Sequence, residues 1–252
     1  MITKKLNGHI LEIYDSIDEL PIERFMLYNR NAMIDAGIGS DVNAYAEHTR
    51  NLRRFIENGD TEKANTELNN FEANIYFILS QSSPFMFSFY ALLKSVNGRE
   101  LTLPEIKNPE KLQKELSKKG LTIGKVKGWM SSVKKKFDDE FELFLKEISG
   151  ASQSKRRAMV LKENTLAKLD QIITGIDRSK DIGRTEKMLF DFYKPLNFGG
   201  NKGVEVRSVI DFEDTCNILE KIGFTKPRTL STLQFFRAVT SIKKENGKNK
   251  GK

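Results

Sequence analysis

The stretch Leu20–Asp41 reads LPIERFMLYNRNAMIDAGIGSD, and its reading sets the pattern for the whole chain. Pro21 stands where the first residue of a helix needs no N–H partner and gains from a fixed φ. Ile22, Phe25, Met26, Asn29, Met33 and Ile34 then recur at spacings of three and four, which lines them along one helical face. Gly37 and Gly39 can take positive φ, so Gly37 is expected to stop this helix and Gly39 to carry the turn. Ser40 or Asp41 offers a side-chain oxygen to cap the segment that follows. The stretch therefore predicts a helical hairpin whose corner is built by Pro21, Gly37, Gly39, Ser40 and Asp41.

Toward the N-terminus, Ile10, Glu12 and Tyr14 alternate with Leu11 and Ile13 after Gly8, a short strand pattern. A lone strand cannot bury its edges within this chain, so it reads as an extended arm that lies on a helical surface or adds to a neighbouring subunit's sheet. Beyond the corner, Val42, Tyr45, Ala46, Thr49, Leu52, Arg53 and Ile56 mark the stripe of a second helix, and Ala64, Leu68, Phe71, Ile75, Ile78 and Leu79 that of a third. Ser82-Ser83-Pro84 restarts the chain into a fourth helix, Phe85–Val96, apolar nearly all round and so expected at the centre of the core. Asn97-Gly98 makes a tight turn.

Residues 99–121 contain Pro104, Pro109 and Gly120 and read as a connector around one short helix. The longest helix is expected from Thr122 to Ile148, with Lys134–Lys136 and Asp138–Glu140 forming i,i+4 pairs on its polar side. A hinge at Ser149–Ser152 leads to helices over Lys155–Thr174 and on toward Tyr193. A loop at 194–203, a brief extended piece at Val204–Arg207 and helices over Asp211–Ile222 and Thr229–Ile242 complete the pattern. The tail KKENGKNKGK is expected to be disordered. The fold class is mainly α. A multi-helix bundle is divided into an N-terminal helical domain with its arm (1–98), the connector (99–121), a C-terminal helical domain (122–242) and the basic tail (243–252).

The chain is 38% apolar and 30% charged, a balance that suits a helical protein with much surface better than a compact enzyme. A single Cys and two His exclude an internal disulfide and a Cys/His zinc site. No apolar run reaches membrane-spanning length and no leader pattern follows Met1, so a soluble, unexported chain is expected. Residues 1–110 hold 16 acids and 11 bases, and residues 111–252 hold 18 acids and 31 bases, so the positive charge lies in the second part. That asymmetry points to an acidic partner, nucleic acid or protein.

No catalytic arrangement emerges. Gly120–Lys125 has three residues between its glycines where a phosphate loop needs four, and Val126 where Ser or Thr would touch magnesium. Asp35–Asp41 lacks the alternating ligands and distal Glu of a calcium loop. His9 and His48 read as surface or interface residues, and Cys216 as a small half-buried one. No enzyme activity, cofactor or metal follows. Binding signals are better. Lys155, Arg156 and Arg157 cluster at an expected helix start, where cations oppose the dipole, and Lys243, Lys244, Lys248, Lys250 and Lys252 could contact phosphates without reading sequence.

The blocks Ile10–Ile13, Leu20–Phe25, Ile34–Asp41 and Glu67–Ile78, with the turn at Ala91–Gly98, resemble an N-terminal pattern of virion proteins of crAss-like bacteriophages, short-tailed phages of Bacteroides-type gut bacteria. The resemblance covers roughly the first 100 residues. It carries over no active site. It implies a virion structural protein assembled in the host cytoplasm, best suited to a portal-proximal ring or connector in contact with itself and with portal or tail components. The competing reading is a basic, nucleic-acid-associated protein packaged as cargo.

Overall fold

A computed structural model describes residues 1–145, 151–192, 197 and 203–249; at 151–155, 191–192, 204 and 245–249 it gives the backbone alone. The chain is mainly helical, at 72% of the described residues, with a small antiparallel sheet at its N-terminus. It divides into two compact units, Met1–Lys146 with Leu196–Lys252, and Glu147–Pro195. Residues 99–121, expected as a connector between domains, lie inside the first unit.

The extended start is not a lone arm. Strands β1 (Ile2–Leu6), β2 (His9–Ile13), β3 (Leu93–Val96) and β4 (Arg99–Glu100) form one sheet in that order. Ile2 pairs with Ile13 and Leu6 with His9 across the first hairpin, while Leu11 pairs with Val96 across β2 and β3. Both hairpins turn on Asn-Gly. Asn7 and Gly8 have φ of +41° and +83°, and Asn97 and Gly98 have +52° and +78°, the paired positive φ of a two-residue turn that matches strand twist. Alternation sends Leu11 and Ile13 fully into the core.

Four helices intervene between β2 and β3: α1 (Ile22–Gly37), α2 (Val42–Glu57), α3 (Thr61–Leu79) and α4 (Pro84–Leu92). Helix α4 buries Met86, Phe89, Tyr90, Ala91 and Leu92, in keeping with its all-round apolar sequence. Its apolar pattern extends to Val96, but the helix ends at Leu92 because the carbonyls there find better partners. Tyr14 N–H donates to Leu92 O at 2.9 Å, and the buried Arg24 guanidinium of α1 donates to Leu93 O at 2.7 Å and Leu101 O at 2.5 Å. Burial pulls that guanidinium below its ordinary pKa, yet it remains cationic at neutral pH. One side chain thus joins helix α1 to the sheet.

Beyond β4 come α5 (Leu103–Lys107), α6 (Glu110–Lys118) and α7 (Ile123–Phe144). Helix α7 buries Val126, Met130, Val133 and Phe137, which recur at spacings of three and four, while Phe144 at its end is exposed. Its charged residues reach away from the helix. Lys136 Nζ bonds Asp15 at 3.0 Å and Glu140 accepts from Ile17 N–H at 2.7 Å, tying α7 to the chain just ahead of α1.

Helices α8 (Ala151–Thr174) and α9 (Ser179–Phe192) form the second unit, and α10 (Val204–Lys221) and α11 (Thr232–Asn249) return to the first. Ala151 and Ser152, expected in a hinge, begin α8, and the remaining hinge residues lie outside the described ones. Most of the expected 194–203 loop lies outside them too. Val204–Arg207, expected as extended, is the first turn of α10, where helical spacing continues unbroken into the rest of the segment. The C-terminal segment is helical through Asn249 rather than disordered from Lys243.

Helix α11 is stitched to the start of α1. Thr232 N–H and Oγ1 both donate to Leu20 O at 2.8 Å, Ile22 N–H donates to Leu230 O at 3.0 Å, and Pro21 bridges Ser231. Phe25, Phe141 and Phe236 then pack edge-on or tilted at 5.5–5.8 Å between ring centres, joining α1, α7 and α11.

The corner differs in detail from its reading. Pro21 caps α1 rather than beginning it, with φ −58° and ψ 140°. Gly37 is the last helical residue, Ile38 follows it, and Gly39 alone takes the left-handed conformation, at φ +65°. A Cβ on Gly39 would stand 2.5 Å from Ala44 Cβ, so this glycine meets both a conformational and a steric demand. Asp41, not Ser40, caps α2, accepting from Asn43 and Ala44 N–H at 3.0 and 2.9 Å. Ser40 Oγ instead lies 3.5 Å from Ser83 Oγ.

Gly39 and Gly59 separate these two demands. Gly59 has φ +69° and open space where a methyl group would stand, so Gly59→Ala should cost about 1–2 kcal/mol from the left-handed backbone alone. Gly39→Ala should cost more. Urea denaturation that ranks Gly59→Ala as the worse variant would refute this account of the corner.

Candidate functional site

The corner leads into the feature that best sets this molecule apart, the hairpin of α2 and α3. Its helices bury polar side chains and expose apolar ones. His48, Asn51, Glu67, Asn70 and Asn74 are all at most 7% exposed. Val42, Tyr45, Ile56, Leu68, Tyr76 and Leu79 are 41–78% exposed. The apolar stripe read along α2 therefore turns largely outward, and in α3 only Ala64 of the expected stripe is fully buried.

The reason is a polar network at the end of α1. The last carbonyls of a helix lack intrahelical partners and carry the negative end of its dipole. Ile38 O sits there and receives His48 Nε2 at 2.8 Å and Asn74 Nδ2 at 3.0 Å. His48 Nδ1 lies 2.9 Å from Glu67 Oε1. The partners of the two ring nitrogens are a carbonyl and a carboxylate, both acceptors, so the contacts are best met by an imidazolium donating from each nitrogen. Burial works against that charge, but the Glu67 carboxylate and the Ile38 carbonyl outweigh it and hold the imidazole above its ordinary value of 6.5. His48, expected at a surface or interface, is instead the buried pin of three helices. Around it, Ile34 and Ile38 pack against Met33, Ala73 and Phe77.

The other histidine and the cysteine are also structural. His9 Nδ1 accepts from Asn97 Nδ2 at 2.7 Å, linking the two Asn-Gly turns. Cys216 is wholly buried rather than half-buried, and burial pushes its thiol up to about 11, an inert state.

A cleft of about 350 Å³ opens between α1, α5 and α10, lined by Met26, Leu27, Val209 and Phe212 with Glu23, Arg30 and Lys107 at its polar side. Its Ser208 donates to Glu205 O of its own helix at 2.8 Å, and no His or Cys stands among its described lining residues. It offers a small amphipathic recess without a paired nucleophile and base. Among the described residues no group of three or more His, Cys, Asp or Glu is placed to hold a metal ion, and no helix is long and apolar enough to cross a membrane.

The basic residues fall in two places. Arg156 and Arg157 are exposed on α8, and Lys155 lies in the same turn. Because α8 begins at Ala151, this cluster stands beyond the first turn, and the opposition to the helix dipole expected of it largely disappears. Lys243, Lys244 and Lys248 continue α11, while Lys250 and Lys252 lie outside the described residues. The two sets belong to different units. Sequence reading missed the α2–α3 polar network, although its signal is present: His48, Asn51, Glu67, Asn70 and Asn74 themselves keep helical spacing. Comparison with known families, with characterised proteins and with solved structures finds no match to this chain.

Two outcomes follow from the His48 pin. A histidine whose folded pKa is raised contributes its full stabilisation below its unfolded value near 6.5 and loses it as pH rises through the higher folded value. Stability of the wild type should fall across that window, and His48→Gln should flatten this part of the profile in denaturation titrations. Glu67→Ala leaves a buried cation without its carboxylate and should cost about 3–5 kcal/mol near pH 6.

Proposed function

We propose that this protein is a structural component of a tailed-phage virion, an oligomeric ring or connector subunit at the portal or head–tail junction, assembled in the bacterial host cytoplasm. The observation that carries the reading is the inverted α2–α3 hairpin. A chain selected to remain alone would place Val42, Tyr45, Ile56, Leu68, Tyr76 and Leu79 inward, since exposed apolar groups in contiguous array promote association. Here the buried polar network holds the hairpin in one shape, and the outer apolar face is left for a neighbouring surface. A head-to-tail ring uses two different faces of each subunit, and such a helical face can be one of them. The resemblance of the N-terminal blocks to crAss-like virion proteins supplies the biological setting.

The exposed arginines of α8 and the lysines along α11 favour a second reading, a basic protein packaged with the genome. Binding of that kind should weaken steeply with salt.

Mass spectrometry and electron microscopy of purified particles of the parent phage test the first reading. The expected result is a constant copy number per particle and density in a ring at the vertex that carries the tail. Absence from particles would overturn it. Release together with the DNA, combined with salt-sensitive DNA binding by the purified chain, would favour the cargo reading instead.

A further inference from the structure

The second unit carries an unpaired apolar seam of its own. Within the hairpin, α8 turns one face to α9. Asn164 Nδ2 donates to Thr185 Oγ1 at 2.8 Å, Lys168 pairs with Glu186 at 2.8 Å, and Arg178, just ahead of α9, bonds Asp170 at 2.7 Å. Val160 and Asn164 are buried on that face. At about 100° per residue, Met159, Leu166, Leu169 and Ile173 fall on the opposite side of the helix. All four are 47–79% exposed. With Lys162 they occupy successive positions at spacings of three and four, the pattern of a helix that packs along a second helix.

We propose that this seam pairs with the same seam of a second copy, antiparallel, so that two α8–α9 hairpins associate as four helices. Charge selects both the occupant and the direction. Within α8, residues 155–162 carry four cations and no acid, whereas residues 163–174 carry two acids (Glu163 and Asp170) and one cation (Lys168). An antiparallel second copy sets the basic end of each α8 beside the acidic end of the other. An in-register parallel copy would place like charges together and face Lys162 with Lys162 inside the seam. In the antiparallel register Leu166 meets the other copy's Leu169, and Lys162 lays its methylene stem along the other copy's Ile173. This pairing is a property of the free chain in solution and does not rest on a virion role, so the two readings can fail separately.

Light scattering on the full-length chain is the first test. The expected result is self-association to twice 28.8 kDa, or to a larger assembly, that Leu166→Glu with Ile173→Glu abolishes or reduces by half while the far-ultraviolet helix signal is kept. Disulfide trapping in a Cys216→Ala background is the second, and it holds even if the glutamates disturb the hairpin. Lys162 and Ile173 lie about 16 Å apart along one helix, too far for an intrachain bond. Lys162→Cys with Ile173→Cys should therefore form a covalent dimer, and Lys162→Cys alone should not. A wild-type chain that stays monomeric, an assembly indifferent to the glutamates, no disulfide from the double variant, or efficient disulfide from Lys162→Cys alone would each overturn the proposal.

Discussion

The Ile38 carbonyl is the constraint around which the N-terminal helices are arranged. It ends α1, where backbone acceptors are left over, and it lies too deep for water to serve it. The imidazole of α2 and the carboxamide of α3 serve it instead. Three helices are thereby referred to one atom. Once His48 reaches that carbonyl its other nitrogen is buried as well, and Glu67 must follow to meet it. Placing those polar groups inside dictates which faces of α2 and α3 turn inward, and the apolar residues at other angles are left outside.

Such an arrangement is costly in isolation. Charged pairs inside a protein lose hydration that their attraction recovers only in good geometry, so an apolar α2–α3 contact would stabilise at least as well. What the polar contact adds is discrimination, because a hydrogen-bonded network tolerates one register where an apolar seam tolerates several. The exposed apolar side chains on α2 and α3 are the counterpart of that network, since the faces it draws inward are not the faces that carry them.

The remainder of the first unit is closed by long-range hydrogen bonds and an ion pair, most of them made by side chains. Leu20 and Thr232 are 212 residues apart in sequence and share a hydrogen bond. Arg24 spans from α1 to Leu93 and Leu101. Lys136 and Glu140 of α7 hold Asp15 and Ile17. The segment Asp15–Arg24 is therefore gripped from the sheet, from α7 and from α11, which makes it the junction of the unit rather than the end of an arm.

By itself the sequence determined the helical class, the helix-rich element order and the places where the chain turns, because spacing, caps and Asn-Gly pairs act over a few residues. A cap at Ser40 or Asp41 and the apolar character of α4 were legible for that reason. Tertiary structure alone decided what depends on distant partners. The sheet needed β1 and β3 to find β2, and β3 carries an apolar pattern that a helix end would fit equally well. Gly39 alone became left-handed, and the close approach of Ala44, which excludes a Cβ there, is set by the fold of α2 against it. The inward face of α2 was settled by a carbonyl at the end of another helix. Periodicity measures hydrophobicity at a given angle, and it is blind to a buried polar partner that reverses which angle points inside.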